Sequence, residues 1–398
     1  MFFYNVKNSD KHCVFGRYVF PNEVFSRLSC FLWTACNISY LSFRIIMPNT
    51  GSPKILIVRR DNIGDLICTT PLLHAIRLRY PSAYVAALVS SYNVEVLHDN
   101  PDIDEIFIFL KRQQRSHGHS QLATLWKRWV LMRTLRQRRF DYVVLANGGW
   151  RYCKKIHGRH MVGFRDRDNP DHRQPDIVVP LANSVELHEV EKMARLGEAL
   201  DVPNALGPTR LFPDMNLVSV LRTRLGLAAD AGAGAGALPV VGIHISSRRP
   251  QQRWPIANFS ALMRRIHAVQ KVRFVLFWSP GRADDPMHPG DDEKADALLR
   301  EVADLPVTAC PALNISELIS GMACIDSLIC SDGGAMHVAA ALGKPIVCFF
   351  GHSIAAEWHP WGVPYVLLQP ETRHVDDISV GEAMAGYARL LQQMGTVT

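Results

Sequence analysis

The sequence predicts an α/β protein built from two doubly wound parallel sheets. Short apolar runs rich in β-branched residues, such as Lys-Ile-Leu-Ile-Val at 54–58, are typical of strands buried on both faces. Stretches with apolar residues at helical spacing follow them, and this alternation starts twice, at Lys54 and again at Val240. Because parallel strands end at the same edge of a sheet, two such sheets predict a cleft at the carboxyl ends of their strands.

In the first half of the chain, strands and helices alternate regularly. Pro81 ends the first long helix, since proline lacks the N–H that would continue it. The predicted strands are 54–58, 84–89, 105–110 and 142–146, and the predicted helices are 66–80, 92–97, 121–139 and 184–200.

The pattern decays between 201 and 238 and then resumes. The Ala-Gly repeat at 231–237 has no strand before it and no apolar helix behind it, so it predicts a flexible loop or linker, not a dinucleotide-binding turn. The predicted strands beyond it are 240–245, 272–278, 328–330 and 346–350, and the predicted helices are 259–269, 292–302, 315–323, 335–342 and 380–394. We therefore divide the chain into an N-terminal extension at 1–50, a domain at 51–205, a linker at 206–238 and a second domain at 239–398.

The composition is that of a globular enzyme. Of the 398 residues, 48% are hydrophobic and 20% charged, which excludes a disordered or fibrous protein. The nine cysteines include no CxxC pair and no zinc-type spacing, so we interpret them as reduced thiols of a cytosolic protein. The net charge of +7 favours anionic partners such as a nucleotide, a phosphorylated glycolipid or a membrane surface.

The first fifty residues are atypical. Residues 25–47 are apolar and aromatic, but Arg27, Asn37 and Arg44 make them too polar for a transmembrane helix, and no signal-peptide cleavage site follows. They are either a membrane-surface segment or an extension upstream of a domain that begins near Met47.

One strand-to-helix junction is Arg-Arg-Asp-Asn-Ile-Gly-Asp at 59–65. Gly64 permits a tight turn and a close approach of another chain segment. Asp65, at the start of the next helix, is either its N-cap or a carboxylate aimed into the cleft that takes a proton from an acceptor hydroxyl. Spacing alone favours the cap.

A second junction is Cys-Ser-Asp-Gly-Gly-Ala-Met-His at 330–337. Backbone N–H groups at a helix N-terminus form an anion site, and Gly333 and Gly334 would let a pyrophosphate approach closely. The alternative is a plain strand-to-helix turn in which Asp332 is a cap and His337 is a packing residue.

Together with their flanks, these segments resemble a known family. Residues 54–71 resemble the opening of the ADP-heptose–lipopolysaccharide heptosyltransferases, which form glycosyltransferase family 9. Residues 331–345, followed by Phe350-Gly351 and by Trp-His-Pro-Trp-Gly at 358–362, are similar to the second half of that family. Segments 100–105 and 188–191 also match it. The resemblance runs in the same order over residues 54–362 and leaves out the first fifty.

The resemblance implies the GT-B architecture and an inverting, metal-independent transfer of a heptose or related sugar from an ADP-sugar to a lipopolysaccharide core or related glycolipid. It makes Asp65 the catalytic base, residues 51–205 the acceptor-binding domain and residues 239–398 the nucleotide-sugar domain. The residues assigned to the donor are Asp332, Gly333, Gly334, His337, Arg253, Ser246 and Glu293, with Asp292 as the alternative to Glu293 for the ribose. The residues assigned to the acceptor side are Arg59, Arg60, Asn62 and His188.

Two departures from the family leave the donor open. Gly333 stands where the family usually has a hydroxyl residue, and Gln252 stands where lysine is common, which leaves Arg253 to supply the charge. The protein is therefore expected to use ADP-heptose or another nucleotide sugar. A non-catalytic binding protein and a sugar-nucleotide epimerase of the same architecture are the rival interpretations. A nicotinamide-dependent oxidoreductase is disfavoured, because neither first turn has the GxGxxG arrangement.

We expect no cofactor and no metal site. Asp166 and Asp168 form a DxD string, but in an Arg-rich loop that favours surface ion pairs. The basic stretch 111–139 carries interleaved tryptophans, which suits an anionic membrane surface or a phosphorylated glycolipid, although a helix packed on one face explains its apolar half. The expected location is the cytoplasmic face of the inner membrane, as a peripheral protein, with no nucleic acid partner.

Overall fold

The computed structural model describes residues 12–15, 18–21, 52–110, 121–147, 149–165, 174–181, 186–203, 205–227, 238–285 and 290–395. The chain separates into two units, Met1–Asn49 and Thr50–Thr398. In the first unit, strands β1 (His12–Phe15) and β2 (Tyr18–Pro21) form an antiparallel pair with His12 opposite Pro21. The segment 25–47 lies outside the described residues. All features discussed below belong to the second unit.

The first sheet of this unit is parallel, with strand order β5-β4-β3-β6-β7-β8. Because the order reverses at β3, the carboxyl end of this strand is a switch point, where doubly wound folds bind ligands. The strands are β3 (Lys54–Arg59), β4 (Tyr84–Ser90), β5 (Glu105–Phe109), β6 (Tyr142–Leu145), β7 (His160–Phe164) and β8 (Ile177–Val179). The helices are α1 (Ile63–Ile67), α2 (Thr70–Arg79), α3 (Gln121–Arg138), α4 (Trp150–Cys153) and α5 (Glu189–Glu198).

The second sheet repeats this topology, with strand order β11-β10-β9-β12-β13-β14, all parallel. Its strands are β9 (Val240–His244), β10 (Arg273–Trp278), β11 (Val307–Pro311), β12 (Ser327–Ser331), β13 (Ile346–Phe349) and β14 (Tyr365–Leu368). The helices are α6 (Met215–Arg224), α7 (Ile256–Val269), α8 (Asp292–Glu301), α9 (Ile315–Ala323), α10 (Gly334–Ala341), α11 (Ala355–Trp358) and α12 (Val380–Gln393).

Each sheet has its own apolar core, which confirms the prediction of two doubly wound sheets. Leu56, Val58 and Leu88 belong to the first core, and Ile243, Leu276 and Ile329 to the second, all with no exposed surface. These residues come from central strands, whose near-continuous apolar runs are dictated by burial on both faces.

Several elements differ from the sequence-based prediction. Four short strands, β7, β8, β11 and β14, were not predicted because each has three to five residues and a partly exposed face. Helix α6 lies inside the predicted linker, where Asp214 accepts from the backbone N–H groups of Asn216 and Leu217 and caps it. The predicted helix 66–80 is two helices, and the predicted helix 184–200 begins only at Glu189.

Candidate functional site

The two glycine-containing junctions lie against each other between the two sheets. A Cβ atom added to Gly64 in α1 would lie 2.5 Å from Cδ2 of His337 in α10. A Cβ atom added to Gly334 would lie 3.5 Å from Cβ of Ile63. Helix α1, which follows β3, and helix α10, which follows β12, are therefore in direct contact. The carboxyl ends of the two switch-point strands share one site, as the sequence predicted.

Arg59, the last residue of β3, organises the first side of this site. Its side chain is buried, and its Nη2 donates both to Oδ1 of Asp65, at 2.8 Å, and to Oε1 of Glu189, at 2.7 Å. Nε donates to Oδ1 of Asp61 at 3.1 Å, and Nη1 donates to the carbonyl of Ala146 at 2.6 Å. One guanidinium thus holds three carboxylates, an arrangement that fits the planar fork of arginine.

The charges of this cluster alter its pKa values. Burial by itself would lower the pKa of Arg59, but Glu189, Asp61 and Asp65 reverse this effect and raise it. Arg59 is therefore a permanent cation. Burial raises the pKa of Asp61 to about 6, a shift that Arg59 opposes and the negative charge of Asp65 increases. The cluster holds more negative than positive charge, which adds to the effect of burial in favouring the protonated form of Asp61.

Asp65 is not the cap of its helix. The N-cap position of α1 is Asn62, without a side-chain hydrogen bond, and Asp65 lies in the first turn. Its carboxylate accepts from Arg59, and its side chain is 14% exposed. Of the two roles left open by the sequence, the geometry excludes the N-cap and leaves a carboxylate held at the edge of the cleft.

Asp332 organises the opposite side. It follows β12, and its Oδ2 accepts from Nε2 of Gln252 at 2.8 Å and from the hydroxyl of Ser353. Nε2 of Gln252 also donates to Oγ of Ser353 at 2.9 Å. A Cβ atom added to Gly333 would meet no described atom within 4 Å, so there is open space in front of the N-terminus of α10.

His337 joins the two sides. It is buried, its ring contacts Gly64, and its Nδ1 lies 3.9 Å from Sγ of Cys68. Burial lowers the pKa of His337, while the negative charges of Asp332 and Asp65 oppose the shift. The ring thus lies within the field of both aspartates, which follow strands of different sheets.

This geometry agrees with the comparisons to known proteins. The model of glycosyltransferase family 9 (heptosyltransferase) matches residues 128–387. The chain belongs to this family. It is similar to lipopolysaccharide heptosyltransferase 3 of Escherichia coli, with 23% identity over 305 residues, which cover 75% of this chain and 83% of the relative.

Two solved structures have the same fold. The family 9 glycosyltransferase from Veillonella parvula superposes with a TM-score of 0.70 at 18% identity, over 86% of this chain and 97% of that one. The Escherichia coli heptosyltransferase WaaC with ADP gives a TM-score of 0.67 at 15% identity, over 85% and 99% of the two chains. The protein is therefore a glycosyltransferase with the GT-B fold, two Rossmann-like domains on either side of a cleft.

Arg253 and Ser246 lie near the carboxyl end of β9 in this family 9 glycosyltransferase. Nε of Arg253 donates to the carbonyl of Ser247 at 2.9 Å, and none of the described carboxylates forms an ion pair with its guanidinium. Oγ of Ser246 accepts from the backbone N–H of Ser279 at 2.9 Å, which ties the ends of β9 and β10 together. Arg253 thus retains donors for an anion, whereas the Ser246 hydroxyl already has a structural partner.

The two acidic residues proposed for the donor ribose differ in their contacts. Both oxygens of Asp292 are engaged: Oδ1 accepts from Nε1 of Trp278 at 2.7 Å and Oδ2 from the backbone N–H of Gly281 at 2.9 Å. Glu293 is exposed in the first turn of α8. The geometry therefore favours Glu293 over Asp292 as the residue free to bind a ligand.

The residues assigned to the acceptor side are not all in one place. The Arg60 guanidinium lies 4.8 Å from the ring centroids of both Phe109 and Tyr152. Asn62 is exposed at the N-cap of α1, the helix that carries Asp65. Arg59 is buried in its carboxylate cluster and has no donor free for an acceptor, so its expected contact with the acceptor is not supported.

His188 lies at the contact between the two domains. Its Nδ1 accepts from the backbone N–H of Val190 at 3.1 Å, and its Nε2 donates to the carbonyl of His359 at 2.9 Å. Its ring stacks on Trp361, with centroids 4.5 Å apart. Because both nitrogens are engaged, this geometry does not support the expected contact of His188 with the acceptor. Burial lowers the pKa of His188 to about 3, which keeps the ring neutral.

The sequence analysis assigned no role to Glu189 or to Ser353, whose hydroxyl donates to Asp332. It also did not predict the contact between Glu95 and Ser316. Oε2 of Glu95 accepts from the backbone N–H of Ser316 at 2.7 Å and so contacts the first turn of α9 from the other domain. Only Glu189 carried a sequence signal, since it lies in the segment 188–191 that resembles the family. The other contacts join residues far apart in the chain.

The described part of the chain contains no group of three or more His, Cys, Asp or Glu residues placed to hold a metal ion. Asp166 and Asp168 lie outside the described residues. In the same described segments, no helix has the length and apolar character needed to cross a bilayer.

Proposed function

We propose that this family 9 glycosyltransferase transfers a heptose from ADP-heptose to a lipopolysaccharide core or related glycolipid, with inversion and without a metal ion. The contact of Gly64 with His337 carries the proposal, because it places Asp65 and the N-terminus of α10 at one cleft. A relative named for lipopolysaccharide heptosyl transfer and a solved relative with bound ADP support the choice of substrates.

Asp65 is proposed as the general base. Its carboxylate takes the proton of an acceptor hydroxyl while the hydroxyl oxygen attacks the anomeric carbon. The bond from that carbon to the diphosphate oxygen breaks on the opposite face, so the sugar inverts and the nucleoside diphosphate leaves. Arg59, which donates to Asp65, fixes the orientation of the carboxylate.

The leaving diphosphate is proposed to bind at the N-terminus of α10. The first N–H groups of a helix lack intrahelical acceptors, and the helix dipole adds positive potential there. Gly333 and Gly334 leave room for close approach, and Arg253 supplies a guanidinium that can bind phosphate oxygens in a bidentate manner. Asp332 acts through Gln252 and Ser353 to shape this loop, and Glu293 binds the donor ribose.

The acceptor is proposed to bind the domain at 51–205, with Arg60 and Asn62 beside the base. Arg60 lies over two aromatic rings, which fix its guanidinium. A phosphorylated sugar would suit that cation. Since such an acceptor is part of a membrane glycolipid, we place the enzyme at the cytoplasmic face of the inner membrane as a peripheral protein.

The second candidate is transfer from a different nucleotide sugar. It is favoured by the engagement of Gln252, whose amide is bound to Asp332 and Ser353 where many family members have a lysine. Without that lysine and with glycine at 333, the donor site offers fewer groups to the phosphates, so the preferred nucleotide can differ.

The test is a transfer assay with ADP-heptose and with UDP- and GDP-sugars, with and without EDTA and with and without a heptose-deficient lipopolysaccharide acceptor. We expect an inverted product from ADP-heptose that is unaffected by EDTA. Asp65→Asn should lower the rate by about 10²–10⁴-fold, whereas Asp61→Asn, which changes another carboxylate of the Arg59 cluster, should retain most of it. A UDP-sugar preference would establish the second candidate. Sugar conversion without acceptor would indicate an epimerase.

A further inference from the structure

Helix α3 exposes an apolar face to solvent. Leu125 is 61% exposed, Trp126 63%, Trp129 51% and Val130 41%. Their spacing of i, i+1, i+4 and i+5 places them on one side of the helix. Trp126 and Trp129 stack with ring centroids 5.0 Å apart, so the two indoles form a continuous surface.

The opposite side of the same helix provides the packing. Leu135 is buried, and Leu131 and Met132 pack against the core of the first sheet. Arg128 donates to the carbonyl of Leu110 at 2.9 Å. The helix therefore packs one face on the sheet and leaves the other solvated, as one of the two interpretations left open by the sequence has it. The solvated face is the one that carries the tryptophans.

Positive charge surrounds this face. Within α3 there are five basic residues and no acidic one: Lys127, Arg128, Arg133, Arg136 and Arg138. The Arg133 guanidinium lies 5.6 Å from the ring centroid of Trp129, and Lys127 is exposed. No described carboxylate forms an ion pair with either of them, whereas Arg138 pairs with Glu105.

A shallow groove beside the helix extends the apolar surface. It runs between α3 and the edge strand β5. Four of its lining residues are apolar, and the other three are polar or charged: Phe107, Trp126, Val130 and Leu131, with Glu105, Lys127 and Thr134. Exposed tryptophans next to unpaired cations are the side chains that interfacial helices use at the headgroup level of a bilayer. An anionic surface satisfies both features at once, since it neutralises the cations while the indoles enter the interface.

We infer that the exposed face of α3 docks on an anionic phospholipid bilayer and holds the acceptor-binding domain against it. The inference rests on the proposed function in that it assumes a membrane glycolipid as acceptor. It adds the element that contacts the lipid and the kind of lipid it selects. Because docking does not require turnover, it can be measured without any sugar donor.

The experiment is co-sedimentation of the full chain with phosphatidylethanolamine–phosphatidylglycerol vesicles and with phosphatidylcholine vesicles. Wild type should bind the anionic vesicles, with a blue-shifted tryptophan emission, and release them in high salt. Trp126→Ser/Trp129→Ser should abolish the blue shift and most of the binding. Lys127→Gln and Arg133→Gln should each weaken binding about fivefold, the effect of one basic residue near such a surface.

A matched control is Val269→Ser/Leu313→Ser, which removes two apolar residues that are 70% and 75% exposed elsewhere on the protein. It should bind as wild type does, and all variants should keep the thermal unfolding temperature of wild type. Equal binding to neutral vesicles, or undiminished binding of the tryptophan variant, would overturn the inference. So would binding only when lipopolysaccharide is added to the vesicles, because the face would then be a glycolipid site. Docking without sugar transfer would sustain the inference and contradict the proposed function.

Discussion

Gly64 and His337 are in contact across the two domains, and position 64 has no room for a Cβ atom: one added there would lie 2.5 Å from Cδ2 and 3.0 Å from Nε2 of the histidine. The ring is buried and so has little freedom to withdraw. The glycine is thus required by the approach of α10 to α1. Through this contact, α1, which carries Asp65, lies against α10, which follows Asp332.

Gly64→Ala should therefore destabilise the protein by about 1–3 kcal/mol, the cost of inserting a methyl group into a packed contact. Transfer activity should fall as well, because α1 carries Asp65. The double variant Gly64→Ala/His337→Ala should lose less unfolding free energy than the two single variants lose when their effects are added. Urea unfolding of the set measures this coupling. Gly207→Ala is the control, since a Cβ there meets no described atom within 4 Å. Additive effects would contradict the contact.

Arg59→Met should cost roughly 3–5 kcal/mol of unfolding free energy, because it leaves Asp61, Asp65 and Glu189 without their shared cation. Arg59→Lys should recover only part of this loss, since an ammonium cannot reproduce the fork. Urea unfolding compares them with Arg79→Met, whose ion pair with Asp201 is exposed to solvent and should contribute little to stability. If Arg59→Met lost as little unfolding free energy as the control, the three carboxylates would not need Arg59 to be stable in the folded protein.

Asp61→Asn should stabilise the protein near neutral pH. The folded pKa of Asp61 is raised to about 6, above its value of about 3.9 in an unfolded chain. The folded state therefore binds more protons between these values, and the wild type loses stability as the pH rises through this window. The variant lacks this loss. Urea unfolding should show its advantage growing from about pH 4 to pH 7 and constant above. A difference independent of pH would refute the assignment.

His188→Phe should retain the stacking on Trp361 but leave the Val190 N–H and the His359 carbonyl unpaired, at a cost of about 1–3 kcal/mol near pH 7.5. The folded pKa of His188 is lowered to about 3, below its unfolded value of about 6.5. The wild type therefore loses stability as the pH falls from about 6.5 toward 3. Unfolding curves of the two proteins should converge in acid. Divergence there would mean that His188 gains a proton in the folded protein.

Arg253→Met should weaken ADP binding by about 10–100-fold, the value of a charged hydrogen bond to phosphate. Isothermal titration calorimetry measures the dissociation constant without an acceptor. Arg265→Met, which removes an exposed arginine of α7, is the control and should bind ADP as wild type does. Unchanged affinity in Arg253→Met would show that Arg253 does not bind the donor phosphates. The N-terminus of α10 would then be their proposed binding site.

Much of the fold could be predicted from the sequence because its signals are local. The apolar run at 54–58 became β3, and the turn at 330–337 became the junction of β12 and α10. Short strands such as β8 escaped prediction, since three residues carry too little periodicity. Helix α6 also escaped, because it buries only Val218 and Leu221.

For the site, the sequence determined the residue types and their order: a glycine before Asp65, two glycines after Asp332, and the family to which that order belongs. It did not determine which side chains pair. That Arg59 binds three carboxylates, that Asp65 is not a cap, and that both nitrogens of His188 are engaged follow from contacts between residues up to 171 positions apart. The sequence also did not determine which face of α3 is exposed. Apolar residues occur all round this helix, so their pattern does not reveal which side the sheet covers. Local patterns encode elements, whereas partners are chosen only when packing brings distant segments together.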